Sequence, residues 1–328
     1  MSADIHRLTP ARVVAGGTVT IDGVGFAVST GHLPTVTVGG VDAPLSRASA
    51  SSLTVRVPDD LPGGLQPVTI AGIDGATAFV QVGTAVTTGV HQVDSPVFDA
   101  QGRLYATLSG GRGQETPVSV FRIERDGTRE SLVTGLPNAT GLAIDAHGVL
   151  HVSSRFEGVV YTVTADGTFT DRARDLGVAC GLAFGADGSL YVGDRSGTVF
   201  RVPAGETSPE TFATLPGSIA AFHLAMSPAG VLHVTAPTLN SSDAVYRITP
   251  DGEVERWVEG FGRPQGLAFD TAGHLYLVDA LAGNSGLYRL TPDGSQDLLV
   301  SGQGLIGVAF DPLGGFVVCT SDTIYRFE

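Results

Sequence analysis

Asp94 stands immediately before Ser95-Pro-Val-Phe-Asp99, the first of six related pentapeptides, and it is the one carboxylate at that register. The residues preceding the other five copies are Thr140, Cys180, Phe222, Gln265 and Ile306. A carboxylate among apolar and uncharged neighbours is desolvated and its pKa rises, which suits a general acid or base. The same side chain could equally cap backbone N–H groups at a loop. His223 replaces the glycine that opens most of the other copies, so its imidazole is the second catalytic candidate, with a packed core histidine as the alternative. Cys180 is a nucleophile only with a base beside it and is otherwise an inert buried thiol. Arg155 and Arg195 follow Ser154 and Asp194 at corresponding points of two copies, where they either bind an anionic group of a ligand or pair with a neighbouring unit. Together with Asn240, these register residues and arginines form the expected substrate-binding set.

The elements that must position these groups are set by repetition. The further copies are Gly141-Leu-Ala-Ile-Asp145, Gly181-Leu-Ala-Phe-Gly185, His223-Leu-Ala-Met-Ser227, Gly266-Leu-Ala-Phe-Asp270 and Gly307-Val-Ala-Phe-Asp311. Most are followed by a Gly and a second strand-like run (Leu104-Tyr-Ala-Thr, Leu190-Tyr-Val-Gly, Leu275-Tyr-Leu-Val). A third run follows, as in Val120-Phe-Arg-Ile, Val199-Phe-Arg-Val, Val245-Tyr-Arg-Ile and Leu287-Tyr-Arg-Leu. A repeat of about 40–46 residues is the length of one four-stranded propeller blade. Such a unit cannot bury both faces alone, so six copies are expected to pack radially around a channel. The first strand of each blade lines that channel. The connections 108–119, 236–244 (which contains Asn240) and 279–286 are long, predicting a pocket walled on one side at the end where first strands begin. Asp99, Asp145, Asp270 and Asp311, and the Asp-Gly pairs at 126, 166, 251 and 293, read as turn formers.

The sixth copy supplies only three strands before Glu328. The segment at about 85–90 is therefore expected to pair beside Ile324–Phe327 and close the ring, removing an exposed sheet edge. Residues 1–83 lack the repeat and alternate as short strands at Thr18–Ile21, Thr35–Val38, Leu53–Val57, Val68–Ile70 and Ala78–Val82, the pattern of a small sandwich. The expected class is all-β: an immunoglobulin-like sandwich over 1–83 and a six-bladed propeller over 84–328.

The net charge of −14 opposes binding to nucleic acid or to anionic membrane surfaces, both of which need a basic footprint. No apolar run approaches the ~18 residues of a membrane span. Residues 1–10 lack the apolar core of a secretory signal, and a cytoplasmic location is the expectation. Cys180 and Cys319 fall in the third and sixth copies, across the ring from each other, so no disulfide is expected.

The stretch from Ala15 to Phe26, with Val36-Thr-Val-Gly-Gly40 and Val57-Pro58, resembles the immunoglobulin-like IPT/TIG family. That resemblance implies a structural or protein-contact module without catalytic residues. The recurring Gly-Leu-Ala-Phe-Asp, Gly-x-Leu-Tyr-Val and Tyr-Arg phrases resemble the six-bladed propellers of the gluconolactonase, senescence-marker-protein and strictosidine-synthase-like families, with NHL-repeat propellers sharing the wording. The gluconolactonase likeness implies a divalent cation held by oxygen ligands at the channel. Its positions map onto Asp94, Thr140, Cys180, Phe222 and Gln265, and Asn138 stands close enough to add an oxygen. One Asp, one Thr and one Gln are a sparse cage for a hard cation such as Ca²⁺, so no metal ligands or cofactor are expected. In the strictosidine-synthase-like families a late-blade Glu is catalytic; here that register holds Gln265 and Ile306. Metal-independent, acid/base-assisted hydrolysis, cyclisation or isomerisation of a small organic molecule is the leading expectation. A non-catalytic ligand- or protein-binding scaffold and a metal-dependent lactonase are the alternatives.

Overall fold

Short runs of alternating apolar residues, punctuated by glycine, leave this chain one way to bury its surface: as strands stacked in sheets. The computed structural model describes residues 4–29, 31–73, 78–90, 95–220, 222–280 and 285–328, and these contain strands and turns but no α-helix. The six pentapeptides become six inner strands, Val97–Phe98, Ala139–Ile144, Ala179–Phe184, His223–Met226, Pro264–Phe269 and Gly307–Phe310. Each begins a four-stranded antiparallel blade, and blades one to six are numbered in that order. Each inner strand neighbours the next, and the sixth returns to the first, so the units form a closed ring. The fourth strand of blade six is Thr84–Thr87, paired antiparallel to Ile324–Phe327 with Ala85 opposite Tyr325. The expected ring closure is present.

The turn residues act as expected. Asp99 Oδ1 accepts the Gln101 and Arg103 amides at 3.0 and 2.9 Å, while Oδ2 takes the Tyr105 hydroxyl at 3.0 Å. Asp145 and Asp270 repeat this on His147 and Val149, and on Ala272 and His274. In blade four Ser227 fills the position and accepts only the Val231 amide.

The N-terminal segment packs two sheets over a core that includes Ile21, Leu53, Val36, Val68 and Val80. Edge strands at Asp4–Thr9, Val41–Asp42 and Leu45–Ala48 and an internal two-residue strand, Arg12–Val13, join the predicted strands; they lack apolar alternation because they are short or half exposed. Arg12–Val13 has an unexpected role. It pairs in parallel with Ala78–Val82 on one side and with the outer strand of blade five, Gln296–Ser301, on the other. The result is one nine-stranded sheet running from the channel into the sandwich.

Within blades two, three and five the inner strand carries a two-residue bulge. Ala139 opposes Ser154 but Leu142 opposes Val152, which takes Thr140 and Gly141 out of register. Cys180-Gly181 and Gln265-Gly266 are skipped in the same way. Bulges free a backbone amide to point elsewhere. Here the Gly181 and Gly266 amides donate across the blade boundary to the carbonyls of Phe222 (2.7 Å) and Ile306 (2.9 Å).

Candidate functional site

A cavity of about 400 Å³ occupies the channel, within the range typical of small-molecule sites. Its side-chain wall is built in tiers from the pentapeptides. One tier is Pro96, Leu142, Leu182, Leu224, Leu267 and Val308, and the next is mostly alanine. The last tier, Phe98, Ile144, Phe184, Met226, Phe269 and Phe310, is half exposed, so the cavity opens where inner strands turn into second strands. Among the described residues only Ser95 and His223 bring polar side chains to this wall, and none is charged. Each inner strand is also a sheet edge, so backbone N–H and C=O groups face the channel between the side chains.

His223 is buried, and its Nε2 lies 3.3 Å from Gln265 Oε1. With that oxygen accepting, the Nε2–H tautomer results and Nδ1 carries a bare lone pair. Nδ1 is buried and has no hydrogen-bond partner among the described residues. Burial drives the His223 pKa down to about 4, so the ring is neutral at physiological pH. Gln265 is itself anchored, its carbonyl accepting the Thr235 hydroxyl at 2.6 Å.

Of the remaining sequence candidates, Asp94 lies outside the described residues. Thr140, Cys180, Phe222 and Gln265 are buried, and neither they nor the half-buried Ile306 form the cavity wall. Thr140, Cys180 and Gln265 lie in the inner-strand bulges, and the described wall is made by the residues that follow this register. The Thr140 hydroxyl donates to the Asn138 carbonyl at 2.9 Å, and Cys180 Sγ to the Val178 carbonyl at 3.3 Å. Cys180 and Cys319 are both buried and form no disulfide. Phe222 is a wedge against Gly193, where a Cβ would lie 2.6 Å from the Phe222 Cβ.

Arg155 and Arg195 are not among the described residues of the cavity wall and form no ion pairs with described residues. Arg155 Nη2 reaches the Gly110 carbonyl at 3.4 Å, and Arg195 Nη2 donates to the Ile219 carbonyl at 2.7 Å. Both staple loops. Asn240 is exposed in a turn closed by Thr238, away from the wall. Asn138 does not face the channel either. Its Oδ1 accepts the Gly113 amide at 2.7 Å and its Nδ2 donates to the Gly110 and Gly111 carbonyls at 2.9 Å, pinning the blade-one loop.

The long connections likewise contribute no described residue to the cavity wall. Sequence reasoning placed the pocket at the end where the inner strands begin, and it did not single out Ser95 or the half-buried row from Phe98 to Phe310. The recurrence of a bulky residue at the fourth pentapeptide position was the available signal. The residues suggested for a cation do not suit one: Phe222 offers only hydrocarbon, Cys180 is a buried thiol, and Gln265 Oε1 faces His223. Among the described residues no cluster of three or more His, Cys, Asp or Glu forms a metal site.

This architecture, an immunoglobulin-like module continuous with a β-propeller, has counterparts among known proteins. Residues 3–88 match the IPT/TIG domain model, and the N-terminal segment is an IPT/TIG domain. No curated protein matches the chain. An auxiliary nutrient binding protein from Bacteroides thetaiotaomicron superposes over 100% of this chain and 98% of its own, with 16% identity and a TM-score of 0.56. A gluconolactonase from Xanthomonas campestris covers 74% of this chain and 88% of its own, at 18% identity and TM-score 0.60. A catalytically inactive histidine-to-alanine variant of virginiamycin B lyase from Staphylococcus aureus, with quinupristin, covers 73% and 84%, at 17% identity and TM-score 0.51. At these identities the likeness is one of fold, and the scaffold is one that serves enzymes and binding proteins alike.

Proposed function

We propose that the propeller channel binds a compact, uncharged organic molecule, with one hydrogen-bond donor of that molecule directed at His223 Nδ1. The carrying observation is this buried nitrogen, unpartnered among the described residues, on a residue of a wall whose other described side chains are apolar apart from Ser95. A buried acceptor left unsatisfied costs about 1–3 kcal/mol, which a matching ligand group would recover. A charged ligand would meet no compensating side chain on the described wall, and its desolvation would go unpaid. The two-domain nutrient binding neighbour supports the binding reading, because its likeness extends over the whole chain.

Turnover is the second reading. It is favoured by Ser95 on the wall, since Asp94 adjoins it in the chain and would supply the carboxylate for a single proton transfer. The names of the gluconolactonase and lyase neighbours lend it support at the level of fold.

A panel of uncharged γ- and δ-lactones, titrated alongside their ring-opened hydroxy acids, tests both. Binding of lactones in preference to the acids, weakened about tenfold or more in His223→Leu, is the expected result. Acid release that disappears in a folded Asp94→Asn variant would identify turnover. Preference for the charged acids, or affinity untouched by His223→Leu, would sink the proposal.

A further inference from the structure

In blades one, three and five the arginine of the third strand meets a carboxylate directly across the sheet. Arg122 faces Glu130, Arg201 faces Glu210, and Arg289 faces Asp297, each as an ion pair. In blade four Arg247 faces Glu255 in the same register, yet its guanidinium lies over the Trp257 ring, 3.5 Å from the centroid. Its Nε donates to His233 Nε2 at 3.3 Å. His233 Nδ1 lies 3.2 Å from the Val231 carbonyl, which fits a neutral Nδ1–H tautomer. The two terminal nitrogens of Arg247 have no hydrogen-bond partner among the described residues.

Those nitrogens border a cleft of about 390 Å³ between blades four and five, separate from the mouth of the channel apart from the shared Phe269. Its body is apolar, with Trp257, Phe269, Leu275, Leu290 and Pro292. Blade four departs from the repeat beside this cleft. Blade two holds its equivalent histidine, His151, with Asp145 Oδ2 at 3.3 Å, whereas blade four has Ser227 in place of that aspartate. The charges around Arg247 are few: Glu255 is exposed at the rim, and His274 is paired with Asp270 at 3.0 Å. Burial also lowers the pKa of Arg247, a sign that its charge is under-solvated where it lies.

We propose that this cleft is a second binding site, taking a small organic monocarboxylate with a flat apolar body. The carboxylate meets the open fork of Arg247, and the body lies against the apolar wall. A planar guanidinium already fixed by stacking and by its Nε bond loses little freedom on forming a bidentate pair, which is the geometry arginine favours. Glu255 competes for the same fork and so limits affinity.

Trp257 is the single tryptophan of the chain, so its fluorescence reports on this site alone. Cyclohexanecarboxylate should give a saturable change, and cyclohexanecarboxamide should bind about tenfold or more weakly. Arg247→Gln should weaken the carboxylate about tenfold, while Glu255→Gln should tighten it severalfold. Ser227→Asp restores beside His233 the carboxylate that blades one, two, five and six carry and should weaken binding like Arg247→Gln; this turn variant and Glu255→Gln serve even if Arg247→Gln does not fold. Equal binding of acid and amide, no saturable change up to about 10 mM, or a Glu255→Gln protein that binds no tighter would overturn the proposal.

Discussion

The Gly181 amide donates to the Phe222 carbonyl across the boundary between blades three and four at 2.7 Å, and a Cβ on Gly181 would lie 2.2 Å from that same oxygen. The glycine of the pentapeptide is thus a matter of space. Inner strands approach so closely at the bulge that only a hydrogen fits between them. A Cβ on Gly141 would likewise lie 2.1 Å from the Cys180 carbonyl oxygen. Gly181→Ala should destabilise the protein by about 1–3 kcal/mol, because the obstacle is backbone and cannot rotate away. Urea titration followed by tryptophan fluorescence measures this, and an unchanged midpoint would refute it.

His223 and His233 both have pKa values pushed down to about 4, each chiefly by burial, with the Arg247 charge adding to the effect on His233. The unfolded chain therefore binds more protons between about 6.5 and 4 than the folded one. Stability should be complete above about pH 6.5 and fall as the pH drops toward 4, by roughly 3 kcal/mol per histidine at most. Denaturant melts at several pH values should show this slope, with His223→Gln and His233→Gln each flattening it. A profile flat from pH 7 to 4.5 would contradict the assignment.

Asn138 holds a left-handed conformation, φ 50°, while its side-chain amide hydrogen-bonds the blade-one loop at Ser109, Gly110, Gly111 and Gly113. Asn138→Gly preserves the backbone and removes only those bonds. It should cost about 1–3 kcal/mol and release the Gly113 amide to fast hydrogen exchange. Retained protection at Gly113 would show that the loop is held by something else.

Ser301 couples the two domains: its carbonyl accepts the Val14 amide at 3.0 Å and its Oγ accepts the Thr18 amide at 3.0 Å. Together with the parallel pairing of Arg12–Val13, this makes the sandwich and blade five one sheet. Calorimetry should show a single unfolding transition for the intact chain. In Gly17→Val, whose Cβ would lie 2.6 Å from the Ser301 carbonyl, the sandwich should melt separately and earlier. Two transitions in the unaltered protein would break this account.

Much of the fold was legible along the chain because its signals are local. The spacing of Gly-Leu-Ala-Phe-Asp and its partners encodes strand, turn and strand within a few residues, and the missing fourth strand of blade six pointed directly to Thr84–Thr87. His223 was recognisable as the residue that breaks the glycine pattern. The rest arises from contacts between residues far apart. Thr140, Cys180 and Gln265 sit buried in bulges, and the described cavity is lined by the residues that follow them out to Phe98 and Phe310. Arg155 and Arg195 were drawn to loop carbonyls, and Arg247 turned from its cross-strand glutamate to Trp257. Sequence alone determined that six like units would form and close on themselves, since each carries its own turn chemistry and apolar alternation. Only the tertiary structure decided which atoms those units leave unpartnered, because that depends on how closely neighbouring blades approach.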